Sequence, residues 1–294
     1  MNIQAAFTFS AYRYHPLDLR VPLAERFPGR ALGYASYGPG GLSLASVRHA
    51  NGQLFVSHHT TDPQAGGMPP AEIASRIRAV ARPGSLFGPT PVILGVSSKL
   101  EWHIKTAVEA AGQEDFVYQL RTEPQKILSG ANVAINYTGL LHDGSGLIFG
   151  VHGHDLNLAG EALQRARYQV VRRTVPALAV MNLLLADPRV TRHEMLPLVV
   201  DQGFAVCLLT DSNVWKETQG QPFLGANTGT KDLADLVERI RNFDAIGKFL
   251  VAISPANGGM AVEDALRGAN AELTRFTLNH LPEEDLFPYA CALF

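Results

Sequence analysis

The sequence predicts an α/β protein of two similar domains flanking a cleft, with a small subdomain inserted in the first. The main observation is a glycine-broken strand–turn–strand pattern that occurs twice. The first copy spans 31–59 as ALGYASYG, GGLSLASVRH and NGQLFVSHH, and the second spans 196–217 as LPLVVDQG, FAVCLLTD and SNVWKE. Each copy is followed by a helical pattern and a short apolar run, the mark of a strand covered on both faces. A length of 294 residues holds two modest domains. In a duplicated fold of this kind the hairpin turns of both copies point into the cleft. The expected division is an N-terminal extension at 1–30, a first domain at 31–187 with its insert at about 98–145, and a second domain at 188–294.

Along the chain, Ile3, Ala5, Phe7 and Phe9 alternate with Gln4, Thr8 and Ser10 as a short strand. Pro16, Pro22 and Pro28 then break regular structure up to position 30. After the first meander, GGMPP at 66–70 precedes a helix over 70–81, with proline in its first turn and Ile73, Ile77 and Val80 on one face. PVILGV at 91–96 is a buried strand. Ile104, Val108 and Ala111 set a second helix at 100–111. The stretch 116–137 carries strand-like runs at 116–120 and 133–137 around a helical piece at 124–128, and reads as the inserted subdomain. A buried strand at 146–151, a helix at 157–167 and a strand at 168–171 follow. Pro176 then opens an apolar helix that Asp187-Pro188 ends, and this is the domain boundary. Beyond the second meander come a helix at 231–241, a strand at 248–253, a turn at Gly258-Gly259 and a helix from Val262 to about Thr277. The closing PYACALF is a short element that packs back on one of the domains.

A formal net charge of −2, from 25 basic and 27 acidic residues without a basic run, argues against nucleic acid as a partner. The longest apolar stretch, PALAVMNLLLA at 176–186, is too short to span a bilayer and holds Asn182. The first residues lack the basic region, apolar run and cleavage site of a signal peptide. Cys207 and Cys291 stand alone in apolar settings, as reduced buried thiols do. A soluble, cytoplasmic protein is expected.

Several clusters tempt a catalytic reading. His152, His154 and Asp155 follow a strand, as zinc ligands often do. The metallo-hydrolase pattern, however, needs a residue between the second histidine and the aspartate and a further histidine after it. Here His154 and Asp155 are adjacent and Leu156 and Asn157 follow; Asp155 or Asn157 serves as a helix cap. His58 and His59 are neighbours on a strand and face opposite sides, so they share a metal only across a bulge. Ser97-Ser98-Lys99 reads as the loop after a strand, with Ser98 capping the helix at 100–111. Neither a Gly-x-Ser-x-Gly nor a P-loop pattern occurs.

Four segments carry a family resemblance. ALGYASYGPGGLSLASVRHANGQLFVSHH has the shape of a first phosphate-binding hairpin plus a third strand. GLIFGVHGHDLNLAGEALQRARYQVVRRTVPALAVMNLL follows as strand, helix, loop, strand and helix, with Ala166-Arg167-Tyr168 standing in for the loop's usual glycine motif. LPLVVDQGFAVCLLTDSNVWKE matches a second phosphate hairpin, and FLVAISPANGGMAVEDALRGAN a strand, Gly-Gly turn and helix that cradle adenosine. The sequence thereby resembles the actin-like superfamily, two ribonuclease-H-like domains flanking a cleft. Within it the likeness is to the actin-like component of type IV pilus assembly (PilM type) and the cytoplasmic domain of the type II secretion protein GspL.

The resemblance implies that Asp201, Gly203, Gly258 and Gly259 would hold ATP with Mg²⁺. The departures weigh against it. The family's first hairpin carries an acid that orients a metal-bound water, and here Ala35-Ser36-Tyr37-Gly38 has no carboxylate. Phe204 and Ala205 replace the small and hydroxyl residues that would bond phosphate in the second. No cofactor is therefore expected. The resemblance then implies a non-catalytic scaffold of a pilus or secretion platform, cytoplasmic and peripheral to the inner membrane through a partner. That partner's cytoplasmic tail would lie in a groove lined by Val117, Tyr118, Leu120, Ile135 and Tyr137, and self-association is a second implied contact. An ATP-binding or ATP-hydrolysing actin-like protein is the alternative reading, and a metal-dependent hydrolase the third.

Overall fold

The computed structural model describes residues 8–9, 32–38, 40–50, 53–80, 88–97, 100–105, 133–140, 146–202, 204–208, 210–211, 214–215, 223–227, 230–243, 246–255, 259–278 and 281–293. In chain order the first half holds β1 (Thr8–Phe9), β2 (Leu32–Gly38), β3 (Gly41–Ala50), β4 (Gln53–Asp62), α1 (Pro70–Val80), β5 (Thr90–Val96), β6 (Leu100–Lys105), β7 (Val133–Leu140), β8 (Gly146–His152), α2 (Gly153–Arg165), β9 (Tyr168–Thr174) and α3 (Pro176–Leu185). A single turn, α4 (Pro188–Thr191), leads to β10 (Leu196–Asp201), β11 (Phe204–Leu208), β12 (Thr210–Asp211), β13 (Val214–Trp215), β14 (Phe223–Asn227), α5 (Thr230–Phe243), β15 (Lys248–Ile253), α6 (Gly259–Gly268), β16 (Glu272–Arg275) and α7 (Leu286–Leu293).

The duplication read from the two meanders is present in the sheets. One five-stranded sheet has the order β4-β3-β2-β5-β9 and the other β14-β11-β10-β15-β16. In each, three antiparallel strands are followed by two parallel ones, and the first strand of the unit lies at the centre. The central strands are apolar because helices cover both faces. Pro91 through Val96 and all of β10 are buried. A separate four-stranded sheet has the order β1-β7-β8-β6.

Helix α3 joins the two units. Every residue from Pro176 to Leu184 is buried, and one continuous core takes in α3, Val199, Val206, Leu250 and Ala252 of the second sheet, and Leu32, Leu44, Val47 and Ile93 of the first. The closing α7 packs on α3 and on β3, β4 and β5. Gly95 lets α3 begin where it does: a Cβ there would meet Pro176 Cγ at 2.7 Å. The other face of the second sheet has its own core, in which Leu233, Leu236, Val237 and Ile240 of α5 cover Leu198, Val200 and Val251.

Both hairpins turn through two residues. The first closes at Gly38↔Gly41 and the second at Asp201↔Phe204. Gly41 has φ +104, and a Cβ there would meet the Asp62 carbonyl oxygen at 2.2 Å, so this corner demands glycine. Between β3 and β4 the register slips. Leu44 faces Thr60 and Ser46 faces Ser57, so Ala45 lies opposite both His58 and His59, a bulge of one extra residue.

The structure corrects several expectations. Positions 100–105 form a strand paired antiparallel with β8, where a helix over 100–111 was expected; Ser98 and positions 106–111 lie outside the described residues. The third strand of the second meander is Phe223–Asn227; the SNVWKE segment instead contributes Val214–Trp215 to a two-stranded ribbon with β12. The last long helix ends at Gly268, because Asn270 takes φ 54 and Glu272–Arg275 then pairs with β15. Helix α2 starts at Gly153, which puts Asp155 in its first turn and Asn157 in its second, neither at its cap. Val80, placed on the buried face of α1, is exposed. Strand β8 belongs to the four-stranded sheet. The expected runs at 116–120 and 124–128 lie outside the described residues.

Candidate functional site

The two hairpin ends meet. Tyr37 and Gly38 end β2, Ser97 follows β5, and Asp201 and Gln202 end β10. Parallel pairing of β5 with β2 carries Ser97 to the hairpin end, where its N–H donates to the Tyr37 carbonyl at 2.9 Å. The Ser97 hydroxyl donates to Asp201 Oδ2 at 2.7 Å and lies 3.2 Å from the Ser36 hydroxyl. The other carboxylate oxygen, Oδ1, accepts the Gln202 N–H at 2.8 Å. Gln202 Nε2 donates back to Ser36 Oγ at 3.4 Å. Ser36, Ser97, Asp201 and Gln202 are each at most 3% exposed.

The hairpin register makes Gly38 the counterpart of Asp201, since each closes a two-residue turn at the end of its unit's first strand. Within the stretch Ala35-Ser36-Tyr37-Gly38, it is therefore Gly38 that occupies the position of Asp201. A Cβ at Gly38 would lie 2.4 Å from the Ser97 carbonyl oxygen, 2.9 Å from Ser97 Cβ and 3.1 Å from Gln202 Oε1. The space a first-hairpin carboxylate would need is filled by backbone and by the second hairpin's own glutamine.

Burial dominates the electrostatics. It pushes the Asp201 carboxyl up to about 6 from 3.8, against the opposing bonds from Ser97 and the Gln202 N–H. Beside it, burial raises the Tyr34 hydroxyl, with the Cys291 and Asp201 charges adding to the effect. Burial likewise raises the Cys291 thiol, with Arg172 opposing and Asp201 reinforcing. Tyr34, Cys291 and buried Arg172 thus form a second layer behind the hairpin contact.

Of the residues expected to hold ATP, Asp201 is engaged as described and Gly259 opens α6, the first helix after β15. Gly203 and Gly258 lie outside the described residues. Of the expected groove, Val117, Tyr118 and Leu120 also lie outside them. Ile135 pairs with Val151. Tyr137 is flanked by Phe149 on one side and Phe9 on the other, so the chain's own N-terminal segment occupies the β7 edge at that point. His152 ends β8, and His154 is exposed in the first turn of α2. Among the described residues no group of three or more His, Cys, Asp or Glu is placed to hold a metal, and no helix is long and apolar enough to cross a membrane. Sequence reasoning missed Ser36, Ser97 and Gln202. The small polar residues Ser36 and Ser97 beside buried β-strands were the available signal.

No protein-family model and no curated protein sequence matches the chain. Solved structures do. The cytoplasmic domain of EpsL, an inner-membrane component of the type II secretion system of Vibrio cholerae, matches with a TM-score of 0.51 and 12% identity, over 88% of this chain and 94% of that one. A Bacteroides thetaiotaomicron protein with an actin-like ATPase fold and unknown function matches at 0.48 and 9%, over 85% and 92%. The PilM–PilN type IV pilus biogenesis complex matches at 0.47 and 16%, over 81% and 73%. The class is thus a duplicated α/β protein built on two matching five-stranded sheets. In particular, the chain resembles in fold the EpsL cytoplasmic domain.

Proposed function

We propose that this protein is a non-catalytic actin-like scaffold of a type IV pilus or type II secretion platform, held at the inner membrane by the cytoplasmic tail of a membrane partner. One observation carries the loss of catalysis. The two turns that would face a nucleotide's phosphates bond to one another through Ser97, Asp201 and Gln202, and the Gly38 position has no room for a second carboxylate. Phosphoryl transfer needs Mg²⁺ and a positioned nucleophile, and the only hairpin acid is already engaged. The fold it shares with the EpsL cytoplasmic domain supports the choice of machine.

A second reading, an ATP-binding actin-like protein, is favoured by the start of α6, the first helix after β15, at Gly259. Calorimetric titration of the full chain with Mg-ATP separates the two. The scaffold reading expects no heat of binding; saturable micromolar binding replaces it with the second.

A further inference from the structure

We propose that the β7 edge of the four-stranded sheet is a strand-addition site for an extended peptide with apolar residues at alternate positions, and that the chain's own Thr8–Phe9 is its resident, displaceable occupant. The pairing register points there. Phe9, Tyr137, Phe149 and Trp102 hold one row of the register, one residue from each of the four strands. Residues directly opposite one another lie on the same face of a sheet, so this row sets four aromatic residues on one face. Thr8 falls in the next row, with Thr138, Ile148 and His103, on the other face. A slip of one residue would put Phe9 in that row instead, so the pattern of the sheet selects where the segment adds.

The hold is short. Strand β1 brings 2 residues to a β7 of 8, and among the described residues β7 has no other neighbour on that side. Each backbone hydrogen bond contributes little net free energy, so a strand in trans that pairs along more of β7 outcompetes the resident. Positions 10–31 separate Phe9 from the start of β2 at Leu32. At about 3.3 Å per residue they can span up to about 70 Å, so β1 can leave β7 without moving β2. In this mode of recognition main-chain bonds supply affinity and alternate side chains supply specificity. The displacing partner is thus an extended peptide with an aromatic residue in the place of Phe9, the alternation that Ile3, Ala5, Phe7 and Phe9 show in this chain. Assigning that peptide to the tail of a membrane partner rests on the scaffold reading; the occupancy of the edge by Thr8–Phe9 does not.

The probe is a fluorescent synthetic peptide of residues 1–14, titrated by anisotropy into the full chain. In the wild-type chain the resident strand competes with it. Thr8→Pro/Phe9→Pro removes both N–H groups, one of which must face β7. That variant should bind the peptide about tenfold or more tightly than the wild-type chain, and a peptide carrying the same two changes should not bind. Thr8→Cys/Thr138→Cys joins directly opposed positions, at a spacing that a disulfide accepts, while both native thiols are buried. Oxidised, this variant should be cross-linked within one chain and lose peptide binding; reduced, it should regain it. Equal affinity of the wild-type, proline and oxidised chains overturns the proposal, and so does binding to none of them. A cross-link that fails to form overturns it as well, as does one that joins two chains and so gives the edge to a second copy's strand. If the proline variant does not fold, the oxidised and reduced forms of the cysteine variant decide alone. A peptide that fails to bind leaves the scaffold reading standing, and Mg-ATP binding, which removes the scaffold reading, leaves the occupied edge in place.

Discussion

Gly38 and Asp201 hold matching places in the two units, yet one must lack a side chain and the other must keep one. At Gly38 the nearest obstacle is the Ser97 backbone oxygen, 2.4 Å from where a Cβ would stand, and backbone yields little. Gly38→Ala should therefore cost about 1–3 kcal/mol in denaturant unfolding, and Gly38→Asp more. Asp201 has a different signature. Its carboxyl is raised in the folded chain, so the folded state binds the proton more tightly than the unfolded one. The stability it contributes is present at low pH and is lost as pH climbs from 3.8 to about 6. Relative to Asp201→Asn, the wild-type protein should lose about 3 kcal/mol over that interval, measured as the difference between two urea denaturation series. The difference matters because Asp62 and Asp187, held low by Arg76 and Arg189, act with opposite sign at acid pH.

At the scale of elements, the backbone pattern decided most of what the sequence revealed. The short apolar run at 91–96 and the strand at 248–253 were legible because, past Lys248, burial on both faces leaves no polar position to mislead. Strand β6 was not, because two periods overlap in it. Leu100, Trp102 and Ile104 alternate with Glu101, His103 and Lys105, while Ile104, Val108 and Ala111 repeat at helical spacing. Pairing with β8 settles positions 100–105 in favour of the strand. The loop after α2 was read with Arg167 in the place of a glycine, and Arg167 does adopt φ 65. A side chain in that left-handed region costs about 1–2 kcal/mol, and glycine's greater unfolded-state freedom returns part of it. Arg167→Gly should raise stability by up to about 1 kcal/mol, seen as a higher thermal midpoint.

For the whole molecule, the least legible feature was the meeting of the hairpins. Ser36–Ser97, Ser97–Asp201 and Gln202–Ser36 join positions 61, 104 and 166 apart, and no local pattern encodes such partners. The shared helix was easier: PALAVMNLLL has no polar face to give water, so it had to lie inside. Because α3 serves both sheets, a cavity in it should weaken both units together. Leu184→Ala should cost about 2–5 kcal/mol, with β5 and β15 losing exchange protection in a single transition. The bulge at His58 and His59 has a bearing on crowding. Strand β4 is the outer strand of its sheet among the described residues, the kind of rim on which a foreign chain can grow. With Ala45 facing two residues, the strand's hydrogen-bonding groups on either side of the bulge fall out of step with one another. A strand arriving from a neighbouring molecule can match one stretch or the other but not both, so fibril growth along this rim stalls after a few residues.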